Sequence, residues 1–457
     1  MTFEAHDEGQ ANLSPRLADL PPVFWIILIA TGIAAGLGAM LMMGVLRTVQ
    51  HAALNYHTGE FSNAAARSSD IRVVSVLALG GLITGVTLWL MRRHGGTGGE
   101  PTQVVWSRTG SLSLPRTIIS GALSEITVAM GASLGREGAP QRTGAAAGDV
   151  LARRFRLPSS QRRLLIACGA GAGLAAVYNV PLAGALFALE IYLGTVSIAL
   201  ALPALLCTSI ATAVAWGTLP NHAVYKVPLL GNPTLSLVVF SLIIGPILGI
   251  ASAGYVKLIA WAGARQPKGR LLLVEPLLVF TALGLVAIRY PLLLGNGLDL
   301  AQFAFIGTGG IVILAVLTLL KPIATVACLR SGASGGLVTP TISFGAVFGA
   351  LAGHLWVLLW PGSAGSSYAI IAAAGLFSAA AEAPVTGAAF LLELTRTTTA
   401  IMVPILIAVV GATIVARHLD VRSIYTARLA PIPGDSGIYK DPQSDGDEPD
   451  NSSSPTK

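Results

Sequence analysis

Apolar residues run almost unbroken through long stretches of the chain, and the lengths of those stretches predict its elements. Val23–Leu46 is a clean run of 24 residues, enough at about 1.5 Å per residue to cross roughly 30 Å of hydrocarbon. Val73–Met91 is a second. After that the runs shorten or touch: Ile118–Leu134, Leu164–Leu193, Gly194–Leu219, Leu235–Tyr255, Leu271–Ile288, Ile311–Leu320, Ala369–Ala381, Val385–Leu394 and Thr397–Ala416, several divided by Pro or Gly. Some are too short to cross alone. A short apolar helix can end inside a bilayer only where its end faces protein or a watery cavity, so the pattern predicts an all-α polytopic membrane protein with broken and re-entrant helices around a pathway.

Composition removes the alternative of a water-soluble fold. Of the 457 residues 53% are apolar and 11% charged, against roughly 25% charged in soluble domains. The 52 glycines and 26 prolines are tolerated where neighbouring membrane helices re-satisfy freed backbone groups. The net charge of +7 conceals a polar N-terminal tail, 1–22, carrying −3, and an acidic tail, 433–457, carrying −4. The latter, rich in Asp, Ser and Pro, reads as disordered. Basic residues gather at the ends of runs (Arg92 and Arg93; Arg153, Arg154 and Arg156; Arg162 and Arg163), as cytoplasmic flanks do, rather than as a patch interleaved with aromatics, which argues against nucleic acid as a partner. Residues 1–22 lack the pattern of a removable signal peptide, and both termini are expected on the cytoplasmic side of an inner membrane. Cys168, Cys207 and Cys328 lie within apolar runs and read as buried small residues, not as disulfide partners or metal ligands.

The chain repeats itself. Pro181-Leu-Ala-Gly184-Ala185-Leu-Phe187-Ala-Leu189-Glu190 returns 203 residues later as Pro384-Val-Thr-Gly387-Ala388-Ala-Phe390-Leu-Leu392-Glu393, and Gly135–Pro140 has its counterpart in Gly335–Pro340. Glycine-rich breaks at corresponding places in two halves point to a site between repeats near the middle of the membrane. The halves are read as 23–228 and 229–432.

Gly135-Arg136-Glu137-Gly138-Ala139-Pro140 places a carboxylate between glycines, after an apolar run and before a short helix. An ionisable group inside a membrane costs at least about 2.5 kcal/mol on insertion scales, so it faces a cavity, pairs, or acts. Helix starts carry free N–H groups and partial positive charge, so Glu137 could hold the place of an anion and act as a gate. The plainer reading pairs it with Arg136 or another base as an interfacial cap.

Gly-Arg-Glu-Gly followed closely by Pro resembles the signature of the CLC family of chloride channels and chloride/proton antiporters. Gly335-Gly336-Leu337-Val338-Thr339-Pro340 resembles that family's second filter segment, Asn179-Val-Pro181-Leu-Ala-Gly184 its mid-chain repeat, and Ile424-Tyr425 its late pore tyrosine. The resemblance implies an inverted-repeat fold, a homodimer with one anion pathway per subunit, and helix N-termini aimed at a halide. It makes Glu137 the external gating glutamate. It further implies that Tyr425 offers its hydroxyl, and the backbone around Gly138, Val338 and Thr339 its N–H groups, to the anion. Such donors coordinate an anion without a full positive charge and so let it leave.

Three departures bear on the mechanism. The first filter segment is represented by Gly96-Thr97-Gly98-Gly99-Glu100-Pro101, with an apparent insertion and Thr97 in place of serine. Val338 stands where a phenylalanine is expected. After Glu190, where proton-coupled bacterial members tend to carry a second carboxylate, this chain has Ile191. Chloride should then move with little proton counter-flow unless Glu190 or water serves as inner relay. Glu190 and Glu393, equivalent in the repeat, read as structural or vestibule groups, and mid-run Glu125 as a polar contact or a proton waypoint.

Other strings carry less. Gly169-Ala-Gly171-Ala-Gly173 reads as helix packing rather than a dinucleotide loop. Gly332-Ala333-Ser334-Gly335 resembles the nucleophile box of rhomboid proteases, with His354 a conceivable base, but it already opens the repeat of the glutamate segment. The expected protein is therefore not an enzyme, needs no cofactor or metal, and has as partners chloride or a similar anion, protons if coupled, the lipid bilayer and a second copy of itself. Ser197–Leu206 and Ile401–Ile414 are the expected dimer faces. The paired nucleotide-sensing domains that some family members append after the pore tyrosine are not expected here.

Overall fold

The computed structural model describes residue 17 and residues 20–56, 58–96, 98–107, 110–228, 230–397 and 401–427. The tail 433–457 and most of residues 1–22 lie outside the described residues. Regular structure in the rest is helical. In chain order the helices are α1 (Pro22–Leu54), α2 (Phe61–Arg67), α3 (Asp70–Arg93), α4 (Pro101–Ser107), α5 (Leu114–Ala129), α6 (Gly138–Arg154), α7 (Ser159–Tyr178), α8 (Pro181–Phe187, continued by a π-helical turn Ala188–Leu193), α9 (Ile198–Ala215), α10 (Leu235–Ala264), α11 (Leu271–Arg289), α12 (Leu298–Phe305), α13 (Ile311–Arg330), α14 (Val338–Leu359), α15 (Gly365–Ala381), α16 (Pro384–Thr395) and α17 (Met402–His418).

Among the described residues α1, α3, α9, α10, α11, α13 and α14 are long and apolar enough to cross a bilayer, while α8 with its π turn, α15, α16 and α17 are shorter apolar helices. Two spans differ from expectation. The run Ile311–Leu320 continues to Arg330, through Lys321 and Pro322. Lys321 is fully buried, and its ammonium donates to Ser133 Oγ at 2.8 Å and to the Gly295 carbonyl at 3.3 Å, so the charge is solvated from within. The second is α14, interrupted in sequence by Thr339, Thr341 and Ser343. The hydroxyls of the last two donate back to the carbonyls of Leu337 (2.6 Å) and Pro340 (2.9 Å), which removes the penalty that hid the span.

The continuous run Leu164–Leu193 is two helices. Asn179 adopts a left-handed conformation (φ 56°) that ends α7, and Pro181 opens α8. Glu382 (φ 54°) and Pro384 do the same between α15 and α16. The starts of the two following helices are capped crosswise. Glu190 accepts from the N–H groups of Val385 (3.2 Å) and Thr386 (2.6 Å), and Glu393 from those of Leu182 (3.2 Å) and Ala183 (2.7 Å). Helix starts leave such donors unpaired, so each carboxylate satisfies the start of the other's helix. The Gly169–Gly173 stripe is packing: a Cβ at 169 would strike the Gly144 carbonyl, and one at 173 that of Pro140, so α6 and α7 meet backbone to backbone. Away from this interior, α9 exposes Ile198, Leu202 and Leu206, and α17 exposes Val403, Leu406, Val410 and Ile414.

Candidate functional site

The two glycine breaks meet at the centre of the molecule. Gly135 N–H donates to the Gly336 carbonyl and Gly336 N–H to that of Gly135, each at 2.7 Å, an antiparallel bridge between segments two hundred residues apart in sequence. The bridge sets the starts of α6 and α14 side by side. Glu137 precedes α6, yet its carboxylate caps the other helix: Oε1 accepts from Val338 N–H at 2.8 Å, while Oε2 lies 2.9 Å from the Tyr178 hydroxyl and 3.1 Å from Thr339 Oγ1. The side chain is fully buried. A Cβ on either Gly135 or Gly336 would collide with this carboxylate, so the two glycines form its cradle. Gly138 lies against the same bridge, where a Cβ would meet the Gly336 nitrogen at 2.8 Å.

The cap-by-Arg136 reading does not describe this geometry. The hydrogen-bond donors to Glu137 are neutral, and the Arg136 guanidinium instead lies over the Tyr178 ring, 5.2 Å from its centroid. A carboxylate held at a helix N-terminus by an amide on one oxygen and hydroxyl groups on the other marks a place that a small anion could fill with the same donors.

The family model for voltage gated chloride channels matches residues 100–417. The chain belongs to the CLC family of chloride channels. It is 30% identical over 430 residues, 89% of its length, to the full length of the voltage-gated ClC-type chloride channel ClcB of Citrobacter koseri. Its fold matches a slow cyanobacterial Cl−/H+ antiporter with a TM-score of 0.76 at 22% identity, covering 89% of this chain and 97% of that one. A CLC-type fluoride/proton antiporter matches with a TM-score of 0.72, also at 22% identity and with the same coverage. The chain is thus a multi-pass membrane protein of CLC-type anion transport, with the all-α inverted-repeat fold that its sequence resembled.

Within this CLC fold the expected site residues fall into two groups. Glu137, Val338 and Thr339 are brought together, with Gly138 beside them. Tyr425 is buried, and its ring meets Phe187 of α8 edge-on at 5.4 Å. It is fixed by Ile424 N–H, which donates to the Ala380 carbonyl, and by Ser423 N–H, which donates to Glu382, both at 2.9 Å. Thr97 lies outside the described residues. Its neighbours Gly96 and Glu100 line a cavity of about 260 Å³ that reaches Gly335, with Arg92 and Arg142 on its wall. Arg142 pairs with Glu100 at 2.7 Å and donates to Ser334 Oγ at 2.8 Å. Ser334 is therefore engaged by a cation, and His354, about four turns further along α14, bonds the Ala350 carbonyl. The two do not form a nucleophile and base.

Glu190 and Ile191 line a larger polar cavity of about 860 Å³ together with Glu382, Arg417 and Ser423. The Glu190 carboxylate is already engaged as a cap, with a further 2.6 Å bond from the Thr386 hydroxyl. Glu125 on α5 is buried, and neither of its carboxylate oxygens has a hydrogen-bond partner among the described residues, so the polar contact expected of it is not made.

Tyr178 is the site residue that sequence reasoning missed. A signal existed: aligning the repeats one residue upstream of Asn179 sets Tyr178 against Ala381, an aromatic hydroxyl in one half only.

Proposed function

We propose that this protein moves chloride or a similar small anion across a bacterial-type inner membrane, in a channel-like or weakly proton-coupled manner, with Glu137 as the gate. The two membrane halves are residues 23–228 and 229–432, both termini face the cytoplasm, and the working unit is a homodimer. The observation that carries this reading is the Glu137 carboxylate in its glycine cradle, at the start of α14, among neutral donors. As carboxylate it fills the anion position; protonated, or outcompeted by anion, it leaves. The cavity beside residue 96 supplies an approach for anions: Arg142 on its wall is paired with Glu100, while Arg92 adds a second positive charge that attracts a counter-ion. Tyr425, between the second cavity's lining residues Ser423 and Thr426, is the inner ligand, and Thr97, which lies outside the described residues, is assigned to the path by its place in the first filter segment alone.

The weak coupling follows from Ile191 and Glu190. Isoleucine has no group that carries a proton, and Glu190 is committed to three hydrogen bonds at the start of α16. A chloride/proton antiporter is the second reading, favoured by one observation: Glu382 places another carboxylate on the same cavity wall, two residues from Tyr425 through its bond to Ser423. The protein in sealed liposomes, with potential set by a potassium ionophore and chloride and external pH recorded together, decides between them. Chloride efflux with little proton counter-flow is expected; sustained proton pumping in fixed ratio to chloride would establish the antiporter.

A further inference from the structure

Tyr178 sits at the last position of α7, fully buried, one residue before the left-handed break at Asn179. Its ring is fixed on two sides, edge-on to Phe390 at 5.9 Å and under the Arg136 guanidinium at 5.2 Å. This clamp sends the hydroxyl to Glu137 Oε2 at 2.9 Å and into close contact with Thr339 Oγ1. Three oxygens thus form a triangle holding only the two hydroxyl protons while Glu137 is ionised. Both protons can then point at Glu137 Oε2, from Tyr178 at 2.9 Å and from Thr339 at 3.1 Å.

We propose that the Tyr178 hydroxyl is a latch on the gate: it holds the ionised Glu137 in the anion position, and, when that carboxylate withdraws, it becomes a ligand of the anion that replaces it. This rests on Glu137 acting as the gate. A hydroxyl bond to an ionised acceptor is about twice as strong as one to a neutral acceptor, so the latch favours the carboxylate over the carboxylic acid. With the carboxylate gone, Val338 N–H, Thr339 O–H and Tyr178 O–H converge on one small volume, donors that suit a compact, weakly held anion. Other groups share the electrostatic field of Glu137: Arg136 beside it, Glu125 on α5, Tyr225 before α10 and Tyr255 on α10, with Arg47 of α1 acting on Arg136. Of these aromatic and charged neighbours, Tyr178 is the one that hydrogen-bonds the carboxylate.

The test is Tyr178→Phe, which keeps the ring between Phe390 and Arg136 and removes only the hydroxyl. In chloride-efflux measurements on proteoliposomes, the external-pH midpoint of flux should move up by about one unit, a tenfold change in proton affinity. A carboxylate that has lost a donor takes its proton more readily. In the Glu137→Gln background, where the gate no longer titrates, the same substitution should weaken chloride binding by calorimetry several-fold. Replacement of Tyr178 by a fluorinated tyrosine, a stronger donor of the same shape, should move the midpoint down, and stands in if the phenylalanine variant does not fold. If Glu137→Gln flattens the pH response while Tyr178→Phe keeps the parent midpoint, the latch is wrong and the gate stands. If Glu137→Gln itself keeps the parent pH response, the gate reading fails first. Unchanged chloride binding in the double variant overturns the ligand role.

Discussion

At the scale of single residues, the site depends on what is absent from Gly135 and Gly336. A side chain at either would occupy the volume of the Glu137 carboxylate, so glycine there decides where a charge can sit. Gly336→Ala should evict the carboxylate from Val338 N–H without touching any titratable group. Its anion flux should lose most of its dependence on external pH, while Gly254→Ala, where a Cβ meets open space, should behave as the parent does. Efflux from liposomes between about pH 4.5 and 7.5, a range bracketing carboxylate titration, checks both. The Gly-Arg-Glu-Gly string made Glu137 legible because an ionisable residue between glycines in an apolar chain has few reasons to exist. Tyr178 was legible only as a mismatch with Ala381 in the repeat, since a buried tyrosine at a helix end reads as packing until its hydroxyl is seen to reach a segment forty residues away in sequence.

At the scale of elements, the crosswise caps explain why the repeated decapeptides end in glutamate. Glu190 holds the start of α16 and Glu393 the start of α8, so the two short helices are locked to each other through their opposite ends. Removing either cap should cost about 1 kcal/mol, the typical loss for a helix N-cap, on each of two faces that are related by the repeat. Glu190→Ala and Glu393→Ala should therefore lower the thermal unfolding midpoint in detergent by similar amounts. A loss confined to one of them would show that the caps are not equivalent. Apolar run length found most of the longer elements and the short apolar α15, α16 and α17, but not the short α2, α4 and α12. It stopped at Lys321 because hydropathy charges a lysine with full burial, whereas here Ser133 and two backbone carbonyls solvate it. It passed over α14 because hydroxyls that bond their own helix read as polar in sequence. It fused α7 with α8 because one left-handed asparagine leaves hydropathy unchanged.

At the scale of the whole molecule, α9 and α17 carry rows of exposed aliphatic side chains at positions three or four residues apart, the spacing of one helix face. Both faces belong to the ranges expected to pair, Ser197–Leu206 and Ile401–Ile414. Leu202→Trp combined with Val410→Trp should shift the protein in mild detergent from dimer to monomer, as read by cross-linking and by mass in solution, with transport retained by each subunit. The repeat and the bridge at Gly135 and Gly336 bring two helix starts to one charge, that of Glu137. The most direct measurement is therefore the pH dependence of anion flux through Glu137→Gln in sealed liposomes at fixed membrane potential. A gate at Glu137 predicts flux equal to or faster than that of the parent and nearly constant with external pH; a parent-like pH response in the variant would contradict it.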